Sequence, residues 1–167
     1  TILCNDEDVS FSVRIPNETI QGNWKYRLLV DYGSEVTGLG IGSEYTDGDL
    51  SLTDHLVNQD TAAHVVSYRF IPRITPGDMG LDCEGGSDTT IYIWVNPTPE
   101  IRVSVTDTVI CNYDDVDFSI RNPNIPIQGD WKYNLTVDYG TFVTGNDIGN
   151  EYDATDVFLT DHLVNHD

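Results

Sequence analysis

Slid along itself by 107 positions, the sequence meets itself. Residues 1–60 fall on 108–167 without a gap, and about 37 of those 60 positions are identical. "CNDEDVSFSVRIPN" matches "CNYDDVDFSIRNPN", and "IQGNWKYRLLVDYG" matches "IQGDWKYNLTVDYG". The string "LTDHLVNQD" at 52–60 returns as "LTDHLVNHD" at 159–167. A period this long is no solenoid repeat of roughly 20–50 residues; it is the size of a whole small β-domain. The second copy has no counterpart of residues 61–96. The reading is therefore a first domain over 1–96, a Pro-containing linker over 97–100, and a second domain over 101–167 that lacks its last strands. In "VNPTPEI" (95–101), Pro97 and Pro99 fix φ and bias their neighbours to extended geometry, which predicts a short, stiff linker.

Within each copy the period is two. In "VSFSVRI" (9–15), Val9, Phe11 and Val13 alternate with polar residues. In "HVVSYRF" (64–70), Val66, Tyr68 and Phe70 share a face, and in "TTIYIWV" (89–95) so do Ile91, Ile93 and Val95. "WKYRLLVDYG" (24–33) and "DLSLTDHLV" (49–57) add two more strands. No stretch has helical period. Short strands at regular spacing over about 100 residues predict an all-β, antiparallel Greek-key sandwich in each copy, with Trp24 and Trp131 as equivalent core tryptophans.

Charge narrows the partners. Eight basic residues face 28 acidic ones, a net charge of −20. Such a surface repels phosphate backbones and anionic lipid, so nucleic acid is not expected as a partner. No apolar run reaches the roughly 18 residues of a membrane span, so membrane insertion is not expected either. The opening "TILCNDEDV" has no basic or apolar leader, which fits a removed signal or a window of a longer chain.

Three cysteines become intelligible through the repeat. Cys4 and Cys111 are one position in two copies, and Cys83 lies in the part the second copy lacks. The expectation is a Cys4–Cys83 disulfide, with the partner of Cys111 beyond the chain end. Closing a loop of about 80 residues would contribute on the order of 4 kcal/mol and imply an oxidising compartment. Free thiols are the alternative; a metal site is disfavoured because no CxxC occurs.

"CNDEDVSFSV", "GNWKY", "LTDHLVNQDTAAHVVSYRFIPRI" and "LDCEGGSDTTIYIWVNPTPEI" resemble the PKD-like, immunoglobulin-like tandem repeats of giant cell-surface proteins of Bacteroidota, of the gliding-motility adhesin type. Asp54, Leu56, Asn58, Val66, Tyr68, Pro72, Cys83, Gly85, Val95, Asn96, Pro97, Thr98 and Pro99 match the pattern, and the resemblance covers the whole chain. It implies an extracellular, cell-surface location reached by type IX secretion. It implies no enzyme but a stiff structural or adhesive spacer. The partners it implies are further copies in the same chain, self-association into a filament, and surface polysaccharide or glycan. The alternative is a carbohydrate-binding accessory module of a secreted enzyme.

Four sets of residues invite a chemical role. Asp54–His55 and Asp161–His162 look like acid–base pairs, but neighbours in a strand point to opposite faces, so no catalytic residue is assigned. Glu44, Asp47, Asp49 and Asp54 surround a glycine and offer carboxylates to calcium, the one cofactor considered; copy two replaces Asp47 with Ala154. "DTA", "DTT" and "DTV" match an Asp-Thr signal for O-linked glycans of this bacterial group, marking Thr61, Thr89 and Thr108. Tyr92 and Trp94 alternate against the core face of their strand and could present aromatic rings to a sugar.

Overall fold

The computed structural model describes residues 1–15, 19–46, 49–75, 83, 86–153 and 156–167. Among these the secondary structure is all β, with fourteen strands and no helix. The chain divides into two compact units, Thr1–Thr98 and Pro99–Asp167. Residues 97–100 are shared between them. Pro97 is buried in unit 1, and Thr98 accepts a hydrogen bond from Asn5 at 2.8 Å. In unit 2 the Glu100 amide donates to Asn124 at 2.6 Å.

Unit 1 contains β1 (Ile2–Leu3), β2 (Glu7–Val13), β3 (Asn23–Asp31), β4 (Val36–Thr37), β5 (Glu44–Thr46), β6 (Leu50–Asn58), β7 (His64–Thr75) and β8 (Thr89–Val95). They form a five-stranded sheet, β1-β8-β7-β3-β5, and a three-stranded sheet, β2-β6-β4. Every pairing is antiparallel except β1 with β8. The alternating apolar residues of both sheets meet in one core: Val9, Phe11, Leu52 and Leu56 from one, Leu28, Val66, Tyr68, Ile93 and Val95 from the other. Two sheets around one core are consistent with a β-sandwich.

Strand β7 runs five residues past the sequence expectation because β3 gives it a partner as far as Asn23↔Thr75. Its Pro72 cannot donate to a ladder, yet it is tolerated. The β8 partner ends at Phe70↔Thr89, so beyond that point β7 is paired on one side only.

Unit 2 contains β9 (Arg102–Val105), β10 (Asp114–Arg121), β11 (Lys132–Asn134), β12 (Val143–Thr144), β13 (Glu151–Asp153) and β14 (Val157–Asn165). The sheets are β12-β14-β10-β9 and β11-β13. Its pairings repeat those of unit 1 at the 107-residue offset. Asp8↔His55 returns as Asp115↔His162, Tyr26↔Tyr45 as Tyr133↔Tyr152, and Val36↔Asn58 as Val143↔Asn165. The left-handed turns return too. Asp6 and Tyr113 have φ of 65° and 67°, and Gly40 and Asp147 have 72° and 57°. Among the described residues unit 2 has no strand equivalent to β7 or β8. Leu135 and Leu163 are accordingly half-buried, whereas their counterparts Leu28 and Leu56 are 1% and 0% exposed.

The expected disulfide is corrected. Cys4, Cys83 and Cys111 are all free and exposed. Cys4 follows Leu3, which pairs with Val95, and Val95 pairs with His64 at the start of β7. Cys83 bridges Ile74 at the other end of that strand. Ten residues of strand separate the two positions by about 33 Å, far beyond the roughly 7 Å Cα separation a disulfide tolerates.

Candidate functional site

The repeated string builds a buried carboxylate site. Asp54 lies on the inward face of β6 and is fully buried. Its Oδ2 accepts the Tyr32 hydroxyl at 2.7 Å and the Tyr68 hydroxyl at 2.9 Å, and its Oδ1 accepts the Leu39 amide at 2.7 Å. The Gly40 amide in turn donates to the Tyr32 oxygen at 3.1 Å. The converging donors offset the cost of taking the carboxylate out of water. Burial and the Asp54 bond push the Tyr32 hydroxyl up to about 12, and the same two causes raise Tyr68 as well. Glycine is required beside the ring: a Cβ on Gly38 would overlap Tyr32, and one on Gly145 would overlap Tyr139.

Asp161 repeats the arrangement with one donor fewer. It is 2% exposed and accepts the Tyr139 hydroxyl at 2.8 Å and the Asn146 amide at 2.6 Å. The Asp147 amide donates to Tyr139 at 3.1 Å.

The histidines next door belong to the opposite face. His55 brings its two ring nitrogens to Asp8 at 2.7 Å and Asp6 at 2.9 Å. Two carboxylates favour two N–H donors, so the Asp8 and Asp6 bonds raise the pKa of His55 above its ordinary 6.5. His162 keeps the equivalent contact to Asp115 at 2.6 Å, while Tyr113 stands where Asp6 would be. Asp54 and His55 thus have separate partners and do not act on one another.

The other sequence candidates are scattered. Glu44 pairs with Lys25 and Arg73, at 3.7 and 3.4 Å. Asp54 is committed to its tyrosines, Asp49 is exposed beside β6, and Asp47 lies outside the described residues. The calcium set is therefore not assembled, and no cluster of three or more metal-ligating side chains occurs among the described residues. Glu44 and Asp54 already have partners, and Asp54 is turned into the core. Thr61, Thr89 and Thr108 are all exposed. Tyr92 is 59% exposed and Trp94 half-buried on the outer face of β8, where Trp94 lies in register with Ile2 and Val65.

Two features escaped the sequence reading. The tyrosine partners of Asp54 had a signal in "VDYG", repeated at 30–33 and 137–140, but the aspartate and tyrosine are 22 residues apart and only the fold joins them. The other is an open cavity at one end of unit 1. Trp24, expected in the core, is half-buried there, because β3 and β7 extend past Val13, where β2 ends.

No protein family, characterised protein or solved structure compared with the chain matches it.

Proposed function

We propose that the chain is a stretch of a long extracellular array of immunoglobulin-like, PKD-like β-sandwiches, a structural and adhesive module rather than an enzyme. The observation that carries this is the repeated carboxylate site. Asp54 and Asp161, 107 residues apart, each clamp a tyrosine hydroxyl and a backbone amide with distances agreeing within about 0.1 Å. An architecture copied to that level is what selection for stacking identical modules would preserve.

The strand order supports the sandwich type. In unit 1 the sheets β1-β8-β7-β3-β5 and β2-β6-β4 close on one core. Two mostly antiparallel sheets around one core are the architecture an immunoglobulin-like domain requires. The resemblance to repeats of Bacteroidota adhesins supplies the setting: a cell surface reached by type IX secretion, with neighbouring copies, filament contacts and surface glycans as partners. The net charge of −20 suits such an exposed, mutually repelling array. Exposed Tyr92 favours keeping the carbohydrate-binding accessory module as a second reading.

Peptide mass spectrometry of the source protein tests the array. Further copies at the ~107-residue period on either side are the expected result. Flanking sequence with an unrelated catalytic domain would replace the array with the accessory-module reading.

A further inference from the structure

We infer that the open end of unit 1 is a binding site for a carboxylate-bearing sugar, a uronate unit. The cavity there has a volume of about 690 Å³, inside the roughly 300–1,000 Å³ range of small-molecule sites. Trp24, Tyr26 and Phe70 give it an aromatic wall, and Arg14 and Arg73 supply guanidinium groups. Such a wall suits the apolar face of a pyranose ring.

Unmet hydrogen bonding points to an acceptor-rich ligand. Trp24 Nε1, Tyr26 Oη and Arg73 Nε are all buried and have no partner. Tyr26 is only 3% exposed, so its hydroxyl has lost water without gaining a protein acceptor. The same pattern recurs in unit 2. The counterparts Trp131 Nε1 and Tyr133 Oη are also buried and unpartnered.

Charge chooses the kind of acceptor. The chain has only eight basic residues against 28 acidic ones, yet two of the eight, Arg14 and Arg73, line this cavity. Arg14 makes no ion pair with any described residue, and Arg73 touches Glu44 through Nη2 alone, leaving its Nε free. Guanidinium groups match a carboxylate in shape and charge. The corresponding end of unit 2 differs: Asp130, Asp153 and Asp156 line the cavity beside Trp131, and Lys132 is bound by Glu151 and Asp153. That end would repel a carboxylate, so the site belongs to unit 1.

This inference stands apart from the array reading; an array without sugar affinity would still show flanking copies. The test is a titration of the whole chain, ¹⁵N-labelled at tryptophan, with glucuronate, glucose, acetate and a short glutamate-containing peptide. Trp24→Phe assigns the Trp24 indole signal. Saturable movement of that signal with glucuronate is expected, at an affinity on the order of tenfold above the other three, while the Trp131 signal stays still. Arg73→Gln and Tyr26→Phe should each weaken binding several-fold. Tyr26→Phe removes an unpaired hydroxyl and keeps the fold, so a lost signal there is not a lost structure. A silent Trp24, an equal response to acetate or to the peptide, or equal movement of Trp131 would each overturn the assignment.

Discussion

Asp54 and Asp161 occupy the same letter of the same repeated string, yet they hold different amounts of structure. Asp54 gathers three donors, two from tyrosine hydroxyls and one from a backbone amide. Asp161 gathers the two that come from its own copy's loop. The missing donor is Tyr68, which belongs to β7, a strand with no equivalent among the described residues of unit 2. The string therefore encodes an acceptor, not a complete site. The local sequence makes the turn around Tyr32 and Leu39, and the partner strand completes it.

The sharpest way to break this comparison is to remove the carboxylates one at a time. Asp54→Ala leaves three donors without their acceptor, the Tyr68 hydroxyl among them fully buried, and should destabilise unit 1 by on the order of 4 kcal/mol. Asp161→Ala should cost unit 2 about half as much, because fewer donors are stranded. Amide hydrogen exchange in β6 and β14 reads the two units separately. Equal losses would mean that Tyr68 contributes nothing to the difference.

High pH probes unit 1 through its tyrosines. Tyr26 is pushed up to about 12 by burial and then by Tyr45, and Tyr32 to about 12 by burial and then by Asp54. The folded state keeps both protons between pH 10 and 12, where the unfolded chain gives them up. Stability is thus complete below pH 10 and falls as pH rises toward 12. Tyrosinate absorbance followed alongside unfolding should show these hydroxyls ionising only as the fold is lost in that window. Ionisation of Tyr32 near its ordinary 10.0 in the folded protein would contradict the buried bond to Asp54.

How much of this was written in the sequence differs by feature. Period-two alternation located β2, β3, β6, β7 and β8, since each has one buried face. What escaped was everything fixed by partners distant in sequence. The length of β7 depends on β3. The tyrosine clamp joins residues 14 and 22 apart from Asp54. The cysteine pairing failed for the same reason: counting copies matches positions but carries no information about which end of a sheet each position occupies. The acidic cluster at 44–54 has the composition of a calcium loop, but strand alternation sends Asp54 inward, away from the exposed carboxylates.

Backbone strain gives a smaller contrast. Gly40 has φ of 72° and open space where a Cβ would go. Gly40→Ala should therefore cost about 1 kcal/mol from the left-handed backbone alone. Gly40→Asp, the residue unit 2 uses at φ 57°, should cost less, because aspartate tolerates this region. Chemical denaturation of the pair reads the difference; equal losses would mean that the left-handed turn is not held in unit 1.

The smallest effect lies on the surface, where the copies differ at Asp6 and Tyr113. Both residues sit in the same left-handed turn, so Asp6→Tyr changes the side chain without asking the backbone to move. The variant takes one of two carboxylates from His55 and leaves Asp8. The raised pKa of His55 should then fall toward 6.5, a shift that a proton NMR titration of the ring resolves. A group raised in the folded state stabilises fully below 6.5 and loses that contribution as pH climbs through its folded midpoint. Asp6→Tyr should narrow this window from its upper side. The stability change will be slight, since an exposed pair is screened by water and salt. An unchanged midpoint would assign the whole perturbation to Asp8, and the two copies would then differ at this turn in sequence but not in charge coupling.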